Sequence, residues 1–150
     1  MPKDQVVELL YRVGGRLASY GNQAADGPGL RFSQLFLLYE MLRWRPETDG
    51  ALSVSALAKK LGFSKSSICT TVQALKGMGY LTQNVSGSDS RKKEIALTPK
   101  ARACEAAVAG QMQALDARLC TGLSRQALEA VRHALFQIVE NMQQPSPQVP

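Results

Sequence analysis

The sequence predicts a mainly α fold: a helix-turn-helix that carries a β-hairpin wing, flanked by longer terminal helices, about six helices in all. Three observations carry this expectation. Residues 52–98 read in order as a short helix, a tight turn, a longer helix and a hairpin. The segments on either side repeat apolar residues at three- and four-residue steps, the period of a helix with one buried face. The positive charge is also gathered in one place. Residues 59–100 hold eight basic and two acidic side chains, which is the whole formal net charge of +6, and the rest of the chain holds ten of each. Charge concentrated in this way marks one surface suited to an anionic partner.

The first helix is expected over residues 4–20, where Val6, Leu9, Leu10, Val13, Leu17 and Tyr20 form the apolar face. Gly14 and Gly15 cost that helix about 1 kcal/mol each relative to alanine, and their small size permits close approach of another helix. GNQAADGPG (21–29) reads as a loop. The second helix, 31–45, carries Phe32, Leu35, Leu38, Tyr39 and Leu42 as its main stripe, widened by Phe36, Leu37, Met41 and Trp44 until most of its sides are apolar. Pro46 ends it, and PETDG forms the exit loop. Ser53 caps a short helix over 54–61 and Gly62 stops it. Ser64 caps the next, 65–78, whose buried row is Ile68, Val72 and Leu75. Strands follow around Tyr80–Thr82 and Glu94–Thr98, joined by the SGSDS tip. Thr98-Pro99 opens a helix over 99–120. Gly122 breaks it, and Ser124 caps the last helix, striped by Leu128, Val131, Leu135, Ile138 and Met142. The tail 144–150 is proline-rich and is expected to be disordered.

The totals narrow the function. At 150 residues, 45% of them apolar, the chain suits one globular domain. No apolar run reaches the roughly 20 residues of a membrane span, and the N-terminal stretch does not read as a signal peptide. Three cysteines, Cys69, Cys104 and Cys120, are too few and too irregularly spaced for a disulfide framework, which favours the cytoplasm. With one histidine, no Cys-x-x-Cys, no nucleophile elbow and no phosphate loop, there is nothing from which to build a metal or catalytic site. No enzyme and no cofactor are expected.

The chemistry lies in the basic module. Opposite its apolar row, the helix from Ser64 shows Lys65, Ser66, Ser67, Cys69, Thr70, Thr71 and Gln73. Small hydroxyl and amide groups fit the major groove of double-stranded DNA and bond to base edges or phosphates. The free N–H groups of a helix start suit a phosphate. At the hairpin tip Asp89 stands two residues before Arg91, where it is placed to orient the guanidinium, and Lys92 and Lys93 follow. A basic ribbon of this kind reaches into a narrow minor groove. The expected DNA-binding set is Ser53, Ser64, Lys65, Ser66, Ser67, Thr70, Thr71, Lys76, Asp89, Arg91 and Lys92.

Asp89-Ser90-Arg91 followed by Ile95-Ala96-Leu97-Thr98, with Leu75-Lys76-Gly77-Met78-Gly79-Tyr80-Leu81 before them and Leu30-Arg31-Phe32-Ser33-Gln34-Leu35 earlier, resembles the MarR family of bacterial transcription regulators. The likeness spans about residues 4–143. It implies a single domain over 1–150, with dimerisation helices at about 4–30 and 99–143 and a DNA-binding lobe at 31–98 whose wing is about 80–98. It implies a homodimer, most often a repressor, on a pseudo-palindromic operator, with recognition helices in successive major grooves and wings in the flanking minor grooves. It also implies release by a small aromatic or phenolic effector, in a pocket near Arg16, Phe36, Tyr39, Trp44 and Met112. The sequence departs from the family at Thr70, where relatives commonly carry arginine. Two alternatives stay open. One is a thiol-based redox regulator, for which Cys69 on the DNA-facing helix is the candidate sensor. The other is a winged-helix module that binds protein rather than DNA.

Overall fold

The computed structural model describes residues 5–24, 29–85 and 93–143. It is mainly helical: α1 (Val6–Ala24), α2 (Phe32–Leu42), α3 (Pro46–Asp49), α4 (Val54–Leu61), α5 (Lys65–Gly77), β1 (Leu81–Val85), β2 (Lys93–Leu97), α6 (Pro99–Ala103), α7 (Glu105–Leu119) and α8 (Arg125–Gln143). The two strands pair antiparallel, Leu81 opposite Leu97 and Val85 opposite Lys93. This is the expected winged helix-turn-helix. The chain falls into two compact units divided between Leu115 and Asp116.

In the first unit, α2 is the central post. Leu35, Leu37, Leu38, Met41 and Leu42 are all buried on its eleven residues, so it is covered on most sides, as its broad apolar stripe implies. They share one cluster with Leu57 and Ala58 of α4, with Ile68, Val72 and Leu75 of α5, and with Leu81 and Ile95 of the strands. The α4–α5 turn follows from two serine caps and a glycine stop. The Ala56 N–H donates to Ser53 Oγ at 3.1 Å and the Ser67 N–H to Ser64 Oγ at 3.1 Å. Between them Gly62 takes φ +75°, a conformation that costs residues with a Cβ. The wing root is fastened to the body by the Ile95 N–H donating to Leu52 O (2.8 Å) and by a bridge from Ser53 to Glu94.

Four boundaries differ from the sequence expectation. First, α1 runs on to Ala24 through residues read as loop. Asn22 Oδ1 accepts from the Phe32 N–H at 2.7 Å, satisfying a donor at the start of α2. Gly21 packs so close that a Cβ there would stand 2.5 Å from Phe32 Cδ2. Close approach within this unit therefore uses Gly21, whereas nothing stands within 4 Å of a Cβ built at Gly14 or Gly15. Second, α2 stops at Leu42 and Trp44 lies beyond it, because its indole N–H donates to Gly50 O at 2.8 Å and holds it against the following turn. Third, PETDG is no irregular loop. Pro46 opens the helical turn α3, since a proline suits a first helical position that has no N–H to pair. Fourth, the helix expected over 99–120 breaks at Cys104, whose N–H bonds back three residues to Ala101 O (3.0 Å) and tightens the turn.

α3 and α4 are clamped through Asp49. Its carboxylate accepts from the Arg45 N–H at 2.9 Å and from Lys60 Nζ at 3.0 Å, and Lys60 also lies 4.9 Å from the centre of the Trp44 ring. The Arg45 N–H first, and Lys60 next, hold the Asp49 carboxyl below its ordinary value of 3.8. A carboxylate so depressed stabilises the fold above the unfolded value and loses that contribution as pH falls through the folded one. Asp49→Asn should therefore lower the thermal midpoint at neutral pH. The difference from the native chain should close as the solution is taken below pH 3.8. Midpoints of both chains measured against pH check this.

The second unit holds the end of α7, a turn and α8. Gly122 breaks the helix as expected. The Ser124 hydroxyl caps α8, accepting from the Ala127 N–H at 3.1 Å. No residue of α8 is buried, and Val131, Leu135, Phe136, Val139 and Met142 are exposed. On α1, Val6, Leu9, Val13 and Tyr20 are exposed as well. The tail expectation for 144–150 lies outside the described residues.

Candidate nucleic-acid interface and an adjoining cavity

α5 has two faces because its apolar residues keep a single row. Ile68, Val72 and Leu75 are buried, while Lys65, Ser66, Cys69, Thr70, Gln73 and Lys76 are exposed on the other side. The hydroxyls on this helix are largely committed. Thr70 Oγ1 donates to Ser66 O at 3.0 Å and Thr71 Oγ1 to Ser67 O at 3.2 Å. Both threonines keep acceptor lone pairs but have used their protons. Ser53 is half-buried and occupied as a cap at the wing root, and Ser64 caps α5. Asp89, Arg91 and Lys92 lie outside the described residues.

The basic patch is smaller than the residue count implies. Lys60 is held by Asp49 and Trp44. Lys100 Nζ donates to Met78 O at 2.6 Å and sits 4.6 Å from the centre of the Tyr80 ring. The bond to Met78 O closes the C-terminal end of α5, where a cation meets the negative end of the helix dipole. Among the described basic residues of α5, Lys65 and Lys76 remain on the exposed face.

Ser67 and Thr71 turn away from that face. They line an open cavity of about 380 Å³ with Gly14, Leu17 and Ala18 of α1, with Phe32, Ser33, Phe36 and Leu37 of α2, and with Phe63 and Ile68. Phe63, in the α4–α5 turn, is half exposed and meets Phe36 edge-on at 6.3 Å, while Phe36 stacks on Phe32 at 6.3 Å. Of the five residues expected at a pocket, Phe36 alone lines this one. Trp44 is buried with its N–H taken. Tyr39 is half-buried, its hydroxyl accepting from Arg43 Nη1 at 2.9 Å. Met112 packs against the core, and Arg16 is exposed on α1. Phe63, Ser67 and Thr71 are among the lining residues that the sequence expectation did not place at a pocket. Phe63 stands between the Gly62 stop and the Ser64 cap, outside any helical apolar row, and that is the signal the sequence offers.

The thiols are unpaired. Cys69 is exposed on α5. Cys104 is half-buried beside Tyr80, whose phenol is pushed above 10.0 by burial and then by that thiol. Among the described residues no group of His, Cys, Asp or Glu could hold a metal ion, and no helix is long and apolar enough to cross a membrane.

Residues 29–92 match the sequence model of the MarR family. Over that stretch the chain is similar to the MarR family. No curated protein matches it. Solved structures do. A MarR-family transcriptional regulator from Rhodococcus sp. RHA1 is 25% identical, with a TM-score of 0.74, over 92% of this chain and 96% of that one. S. aureus MepR, solved as a DNA complex, is 16% identical with a TM-score of 0.73, over 95% and 100%. Bordetella bronchiseptica BpsR, whose DNA binding is regulated by 6-hydroxynicotinic acid, is 22% identical with a TM-score of 0.75, over 93% and 96%. The last two likenesses are of fold. The winged-helix fold shared with these structures gives the parts their assignment: α4–α5 is the helix-turn-helix and β1–β2 is the root of the wing.

Proposed function

We propose that this MarR-family regulator is a cytoplasmic repressor. It binds a pseudo-palindromic operator as a homodimer, with α5 of each copy in a major groove and each wing in a flanking minor groove. A small aromatic or phenolic molecule releases it. The observation that carries the reading is the exposed polar and basic face of α5 on a helix whose opposite row is wholly buried. The apolar rows left exposed on α1 and α8 support the homodimer, because a second copy offers the same rows in return. Free thiols support the compartment. The phenyl-lined cavity supports the effector, since ligand sites are concave and mostly apolar with a few polar groups. It borders α5, so an occupant touches the DNA-reading helix directly.

The test is selection of duplexes from a random pool with the purified protein, followed by affinity measured against salt. Lys65→Ala should weaken binding to all sequences and reduce the slope of log affinity on log salt by about one, the signature of one lost phosphate contact. Lys100→Met should leave that slope unchanged and lower the thermal midpoint instead, because its ammonium is bound to Met78 O. Arg91→Ala should weaken binding markedly. An Arg91→Ala chain that binds the selected duplex at native affinity would remove the wing from the interface.

A further inference from the structure

We infer that Gln73 is a base-reading residue of α5 and that Gln83, on the wing, is the positioning residue that holds it for reading. The inference rests on the DNA-binding assignment above and adds to it one reader and the base class it takes.

Gln73 lies on the exposed face of α5, and its Nε2 donates to Gln83 Oε1 at 3.2 Å. Gln83 belongs to β1, two residues from the buried Leu81 and opposite the buried Ile95. It therefore projects from the body side of the wing, where the strand passes α5. Whichever of the two amides donates, Gln73 keeps one N–H and at least one oxygen lone pair in a single plane. That donor–acceptor pair matches adenine in the major groove, which offers N7 as acceptor and the N6 amino group as donor. No other exposed side chain of α5 carries a planar pair of this kind, and the Thr70 proton is already given to Ser66 O.

The bond serves Gln73 more than it serves the wing. The wing root is already fixed by buried Leu81 and Ile95, by the Ile95 N–H on Leu52 O at 2.8 Å and by the Thr98 N–H on Tyr80 O at 3.1 Å. One exposed amide contact adds little to that. A glutamine side chain, by contrast, loses considerable rotamer freedom when it must adopt one pose. Holding it in that pose before DNA arrives removes part of this cost from binding.

The experiment is selection from a random duplex pool with the native chain, Gln73→Ala, Gln83→Ala and Gln83→Glu, comparing base preference at every position. The native chain should prefer an A·T pair at one position of each half-site, by roughly tenfold over other pairs. Gln73→Ala should erase that preference and spare the rest of the profile. Gln83→Ala should weaken preference at the same position, and combining it with Gln73→Ala should do no further harm. Gln83→Glu keeps an acceptor for Nε2, so it should retain the preference while lowering affinity for every sequence through its charge. A Gln73→Ala profile identical to the native one, or an equal loss at all positions, overturns the inference. An intact preference in Gln83→Ala overturns the positioning role. If the native chain enriches nothing, the DNA-binding assignment has failed. An enriched native profile that Gln73→Ala leaves untouched sinks this inference alone.

Discussion

Leu57→Ala is expected to cost about 3 kcal/mol, within the usual 2–5 for a buried leucine truncated to alanine. At this chain length that lowers the thermal midpoint by about 6–12 °C. Leu57 is 0% exposed, and with Ala58 it supplies the buried residues of α4. It shares its cluster with Ile68, Val72 and Leu75, the row that seats α5. Truncation leaves a hole beneath the turn that sets the two helices, so DNA affinity should fall before global unfolding begins. Leu57→Met keeps the volume and should cost under about 1.5 kcal/mol. Denaturant melts of the two variants check the pair. Equal losses would mean that the volume at this position does not seat the helix.

Gly21→Ala comes next in size. A Cβ at Gly21 would meet Phe32 Cδ2 at 2.5 Å, Cγ at 2.6 Å and Cβ at 2.9 Å. Turning the ring does not relieve contact with Phe32 Cβ, so α1 and α2 must part. Overpacking of this kind costs about 1–3 kcal/mol. It outweighs the gain of about 1 kcal/mol that alanine brings to a helix interior. Phe32 also lines the cavity, so affinity for the effector proposed above should fall with stability. Gly15→Ala meets nothing within 4 Å of the new methyl and should stabilise by up to about 1 kcal/mol. Melting midpoints of opposite sign are the expected result. A loss at Gly15 would instead place a second copy of the chain against that turn of α1.

Residues whose role is local were legible from the sequence. Ser53, Ser64, Thr98 and Ser124 cap helices because their hydroxyls reach an N–H three residues on, and such spacing is written in order along the chain. The buried row of α5 was legible for a similar reason, since three apolar residues at steps of four and three leave the other face to solvent. The boundary at Cys104 was not, because an apolar stripe continues across a tightened turn unchanged. The cavity was not either. The resemblance implies a general location, near Arg16, Phe36, Tyr39, Trp44 and Met112, and periodicity says which side of a helix is apolar but not which helix lies opposite, so neither separates Phe36 from the other four.

The winged helix-turn-helix, its caps and the polar face of α5 are written in the order of residues, because each depends on residues within a few steps of one another. Which of those residues remain available depends on packing between elements. Lys60 and Lys100 count as positive charges in the sequence, yet Asp49 and Trp44 hold the first, and the end of α5 holds the second. Ser67 and Thr71 face a cavity, and Gln73 is held by a residue of the wing. Their partners stand on other elements, from 10 residues away for Gln73 and Gln83 to 57 for Thr71 and Gly14. A contact at that separation is fixed by how helices pack and not by any local pattern.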